Sequence, residues 1–101
     1  MRFQTFWNNL KRDLIQDREF QTIVQRKSFS ARYSESVVKI FPESTMHERD
    51  LSQEEFLRVW NQAKNYNRGE QFVRQNYNDI TRNGSYILAL MRHYLGEDQI
   101  E

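Results

Sequence analysis

Cysteine is absent from this sequence, and proline and glycine are nearly so, with one Pro and three Gly in 101 residues. Without cysteine there is no disulfide, no thiol nucleophile and no thiolate metal site. Three glycines cannot build a phosphate-cradling loop of either common nucleotide-binding type. Long apolar runs are missing too, and no window approaches the roughly 18 residues that a membrane-spanning helix requires. Arg2, Gln4, Asn8, Asn9 and Lys11 interrupt the opening stretch, so no secretory leader is legible there. These absences predict a cytoplasmic protein with no membrane partner.

What is present predicts a folded domain. Hydrophobic residues make up 38% of the chain, and seven Phe, five Tyr and two Trp supply large rings to bury. Disorder needs few aromatics and a high net charge, whereas the formal charge here is only +1. At this length the expectation is one domain covering residues 1–101, with 97–101 a frayed acidic tail. The charges are unevenly spread. Residues 1–40 carry eight Lys/Arg against four acids, 41–57 one Arg against five acids, and 58–95 six Lys/Arg against two acids. Eleven of the fifteen cations are Arg, whose planar fork suits phosphate or carboxylate.

Phe3, Phe6, Trp7, Leu10, Leu14 and Ile15 recur at helical spacing and predict a helix from about 3 to 16. Phe20, Ile23 and Val24 extend that spacing into a shorter second helix to about 25. Alternation of Phe29, Ala31 and Tyr33 with Ser and Arg, then the β-branched run Val37–Phe41, predicts a β-hairpin across about 28–41. Residues 42–50 are polar and suggest a loop. Ser52 and Glu55 stand at capping-box spacing, with Leu51 and Phe56 placed for a hydrophobic staple, ahead of a helix over 53–65. A helix over 70–81 and another over 85–95 follow, separated by Asn83-Gly84, with Ser85 as N-cap and Gly96 as stop. The fold expected is therefore α+β: one or two N-terminal helices, one β-hairpin, then three helices. The core expected is Phe6, Trp7, Leu10, Leu14, Phe29, Val38, Ile40, Phe56, Trp60, Phe72, Tyr77, Leu88 and Met91.

Catalytic patterns are sparse. The two histidines, His47 and His93, lie far apart in sequence, and no serine sits in a glycine elbow. His47 neighbours Glu43, Glu48 and Asp50, but without the ligand spacing of a calcium loop. Glu54-Glu55 fall at a helix start, where they compensate the dipole. The expectation is a protein that is not an enzyme, with no cofactor and no metal.

Binding is the better-supported class. Arg68, Arg74, Arg82, Asn83, Ser85 and Arg92 are strung along the two C-terminal helices, and phosphate contacts draw on Arg and on helix N-termini. Arg26, Lys27, Arg32 and Lys39 form a second basic patch around the hairpin. We therefore expect nucleic acid as ligand, DNA before RNA, engaged through a helix-turn-helix-like hairpin. The alternative is a protein-interaction or regulatory module, since an acidic segment beside basic neighbours orients a partner and exposed aromatics favour interfaces. An apolar patch left uncovered would favour a homodimer.

Overall fold

Three α-helices cover one face of a four-stranded antiparallel sheet in a computed structural model that describes residues 1–101. The elements in chain order are α1 (Phe3–Asp13), β1 (Arg18–Gln21), β2 (Ser28–Ser34), β3 (Val37–Pro42), β4 (Arg49–Ser52), α2 (Gln53–Ala63) and α3 (Gly84–Leu95). Between α2 and α3 the chain makes only two short 3₁₀ turns, Arg68–Glu70 and Arg74–Tyr77.

The sheet is a meander in the order β1-β2-β3-β4. Its register puts Phe20, Phe29 and Pro42 in one inward row, Ala31 with Ile40 in the next, and Tyr33, Val38 and Leu51 in a third. Side chains alternate across a strand, so the intervening rows point to the uncovered face, which antiparallel sheets tolerate. Glu35 and Ser36 form the two-residue β2–β3 turn with φ of 54° and 68°. That is the turn whose twist matches the strands, and it holds two non-glycine residues in left-handed backbone at roughly 1–2 kcal/mol each.

Rings dominate the packing beneath the sheet. Phe6 stacks on Trp60 at 5.1 Å, and Trp7 meets Phe56 at 5.2 Å, welding α1 to α2. Trp60 is fully buried and its indole N–H donates to the Glu101 carbonyl at 3.0 Å. Truncating such a ring to alanine costs about 3–5 kcal/mol. α3 is the central helix, burying Ile87, Leu88, Leu90, Met91 and Leu95. Phe20, Phe29, Tyr86 and Tyr94 form a second aromatic group where α3 crosses β1 and β2. The N-terminal ammonium lies 2.7 Å from the Glu101 carboxylate, which its hydrogen bond holds below the usual glutamate range.

Several expectations are overturned. The sheet has four strands, not one hairpin, and there are three α-helices in all. Residues 18–21 form β1 where a second helix was expected. Phe20, Ile23 and Val24 have helical spacing, but only Phe20 is buried; Val24 is 84% exposed in the following loop. Residues 49–52 form β4, and Leu51 is a core strand residue instead of a helix staple. Each of these strands has one inward apolar side chain, too few to show a period, and each exists because β2 or β3 offers an edge to pair with.

The helix over 70–81 does not form either. Three of its backbone carbonyls, those of Glu70, Gln71 and Asn76, accept from side chains, and Gln71 commits its own amide to carbonyls that precede the stretch. Gln71 Nε2 donates to the Ala63 and Tyr66 carbonyls, Asn76 Nδ2 to Glu70, Tyr77 Oη to Gln71, and Gln62 Nε2 to Asn76. Asn, Asp, Thr and β-branched residues fill this stretch, and they favour such competing arrangements over helix. A helix-turn-helix pair is therefore absent. Of the residues expected in the core, Phe72 alone is only half-buried, on the same segment.

Candidate functional site

In a meander, the β1–β2 and β3–β4 connections emerge at the same end of the sheet. Residues 22–27 make a tight loop there: the Thr22 N–H donates to the Lys27 carbonyl, and the Lys27 N–H to Thr22 Oγ1, both at 3.0 Å. Residues 43–48 make the second, closed by the Met46 N–H on the Pro42 carbonyl at 3.1 Å. Arg26 and Met46 take left-handed backbone, φ 53° and 57°, one in each loop. Facing both loops are the Arg74–Tyr77 turn and the start of α3. Between them lies a cleft of about 600 Å³.

Four cations line this cleft, Lys27, Arg49, Arg74 and Arg82, and no carboxylate does. Gln25, Ser44, Thr45, Gln75 and Ser85 add neutral polar groups. Val24, Phe72, Val73 and Tyr86 supply apolar surface, with Val73 39% exposed. A second cavity of about 620 Å³ adjoins the cleft, sharing Thr22 and Ile23, and carries Arg26, Arg92 and His93 with Glu19.

The cations differ in how they are held. Arg49 is anchored: its Nη1 donates to Asn83 Oδ1 at 3.0 Å, and its guanidinium sits 5.4 Å from the Tyr86 ring centre. Tyr86 in turn packs edge-on against Phe29 at 5.1 Å. Asn83 passes the constraint to α2, because Asn83 Nδ2 and the Thr81 hydroxyl both donate to Glu55 Oε2. That bond set explains why Glu55 does not complete a capping box, although Ser52 Oγ does accept the Glu55 N–H at 3.2 Å. Lys27, Arg74 and Arg82 have no carboxylate within ion-pair distance; every ion pair in the molecule involves other residues. The Arg74 stem packs against the start of α3, where a Cβ on Gly84 would meet Arg74 Cγ at 3.4 Å, an ordinary van der Waals contact.

The sequence-derived candidates separate into groups. Arg74, Arg82 and Ser85 line the cleft. Asn83 lies behind it with its amide committed to Arg49 and Glu55, and it, not Ser85, is the residue before α3. Arg92 lines the neighbouring cavity, its guanidinium 6.0 Å from the Phe72 ring centre. Arg68 is elsewhere and donates to the Glu97 carbonyl at 2.9 Å. The hairpin patch is split: Lys27 lines the cleft and Arg26 the adjoining cavity, whereas Arg32 and Lys39 face the open side of the sheet. Lys39 there lies within 3.9 Å of Glu35, 3.5 Å of Glu48 and 3.7 Å of Asp50. Burial pulls its pKa down, but Asp50, Glu35 and Glu48 outweigh that and hold it above the ordinary lysine value.

Arg49 was not legible as a site residue. It is the lone cation of the acidic 41–57 segment, and only that isolation marked it. Nowhere do three or more His, Asp or Glu side chains converge as a metal site. No helix is long and apolar enough to cross a membrane. Neither family models, curated proteins nor solved structures give a match to this chain.

Proposed function

We propose that this protein is a non-enzymatic binding module whose ligand is a nucleic acid, held in the cleft between the two sheet loops and the start of α3. The observation that carries this reading is the cleft's lining of four cations with no acid among them. Arginines left without partners keep their fork for phosphate oxygens. Phosphate neutralisation with counterion release is the main source of affinity for nucleic acid. Ser44, Thr45 and Ser85 bring hydroxyls to the same cleft, the kind of donor that also contacts phosphate and sugar. Binding is favoured over catalysis because the lining has no His, Asp or Glu to take a proton near neutral pH.

A second reading rests on Val24 and Val73, exposed beside the cations: an acidic, apolar protein segment would satisfy both features. Fluorescence titration against DNA and RNA at about 50 and 200 mM salt separates the two. Nucleic-acid binding should weaken steeply with salt, and Arg74→Ala and Arg82→Ala should each lower the salt slope by about one unit. Unchanged affinity in both variants would remove the cleft as the site.

A further inference from the structure

The cleft and its neighbour are adjacent. They share Thr22 and Ile23 as lining residues, and Arg92 of the second cavity lies 6.0 Å from the ring centre of Phe72 in the first. Cations line both: Lys27, Arg49, Arg74 and Arg82 in the first cavity, Arg26 and Arg92 in the second. Glu19, in the second cavity, is the one acid in either. Exposed apolar side chains accompany them, Val24 at 84% and Val73 at 39%, with Met46 at 87% in the adjoining loop.

We infer that the ligand is a single strand of nucleic acid running from one cavity to the other past Thr22 and Ile23, an inference that rests on the nucleic-acid reading above. A strand with unpaired bases offers phosphate oxygens to the arginines and flat apolar faces to Val24, Val73 and Phe72. A duplex offers phosphates and base edges, but the faces of its bases are stacked inside. Bases stacking on aromatic side chains while a basic groove follows the backbone is the general physics of single-strand recognition, with sites of roughly 4–16 nucleotides in small domains, and Phe72 and Tyr86 are the rings that line the cleft. Arg49, its guanidinium fixed by Asn83 and Tyr86, presents a planar cation of the kind on which bases stack.

The test is a fluorescence titration of the intact chain with oligothymidylates of two to twelve nucleotides, the matched duplex, oligouridylate and heparin, at about 50 mM salt. Affinity should rise by about tenfold or more once the strand is long enough to reach the second cavity, and single strands should bind better than duplex or heparin. Arg92→Gln, alone and with Arg26→Asn, should erase most of that length-dependent gain while leaving the shortest oligomers unaffected. Asparagine is chosen at position 26 because it tolerates the left-handed backbone there. Duplex binding as tight as single strand would overturn the single-strand inference and leave the nucleic-acid reading standing. A length gain unaltered by both variants would overturn the two-cavity path. Binding of no oligonucleotide would overturn both readings, and heparin binding equal to any strand would reduce the site to a general polyanion surface.

Discussion

The open face of the sheet and its loop end handle positive charge in opposite ways. On the open face, Arg32 lies directly opposite Lys39 in the β2–β3 register, a repulsive pairing. Carboxylates quench it: Asp17 stands 3.8 Å from Arg32 Nε, and three acids surround the Lys39 ammonium. At the loop end, Lys27, Arg74 and Arg82 face a common cleft with no acid among its lining residues. Residue type is the same in both places, so arginine content alone says little about where a polyanion binds. What separates a solvated ion-pair surface from a candidate site is whether the neighbourhood has already spent the charge.

Charge reversal gives the largest test of that contrast. Arg74→Glu with Arg82→Glu should weaken single-strand binding by roughly 100-fold or more at low salt. The same reversal on the open face, Lys39→Glu, should change it by no more than about twofold. Equal losses in filter binding or anisotropy would erase the distinction between the two faces.

Next in size is an effect on the segment that carries Arg74. Burial, with the nearby Tyr66 hydroxyl, pushes the Tyr77 pKa up to about 12 from 10.0. The folded state thus favours the protonated phenol, whose Oη donates to the Gln71 carbonyl at 2.7 Å. This contribution is fully present below pH 10 and is lost as pH rises toward 12, an effect on the order of 2–3 kcal/mol. Urea melts between pH 9 and 12 should show that decline in the native chain, and Tyr77→Phe should lessen it, the remainder coming from Tyr94, whose pKa burial and its bond to Asp13 also raise.

Smaller again is the expected cost of Arg49→Lys. Lysine keeps the charge but loses the fork that joins Asn83 to the Tyr86 ring, and stability should fall by about 1–2 kcal/mol in the same melts. Arg82→Lys, with no fixed partner to lose, should leave stability within about 0.5 kcal/mol. A similar drop in both would mean that Arg82 is anchored as Arg49 is.

The smallest effect sharpens the comparison from the other side. Asp50→Asn with Glu48→Gln removes two of the acids around Lys39. Freeing that cation should raise non-specific polyanion binding by about twofold at low salt, visible as a slightly steeper salt slope. No change would show that Lys39 is unavailable for a reason other than its carboxylates.

Elements carrying a full period of apolar residues were legible. Phe3, Phe6, Trp7 and Leu10 announced α1, Phe56 and Trp60 α2, and Ile87 through Leu95 the central helix. The alternation at 28–41 announced β2 and β3. Gly96, at φ 58°, ends α3 as its residue type suggests. The failures have a common cause. β1 and β4 present one inward side chain each, and a four-residue strand has no period to detect. The 70–81 stretch has apolar residues at helical spacing, yet the Asn76, Tyr77 and Gln62 side chains take its Glu70, Gln71 and Asn76 carbonyls.

The candidate site divides along the same line. Arg74, Arg82 and Ser85 could be picked out by residue type, but the patch formed by Arg26, Lys27, Arg32 and Lys39 could not be divided correctly. Sequence alone determined that the chain folds around an aromatic core, that it has helices at both ends with strands between, and that its cations are mostly arginine. Those properties depend on composition and on local periodicity. Only the tertiary structure decided which cations remain free, because strand register sets Lys39 among acids. Meander topology carries Lys27 and Arg49 round to meet Arg74 and Arg82, residues separated in sequence by up to 55 positions, from 27 to 82.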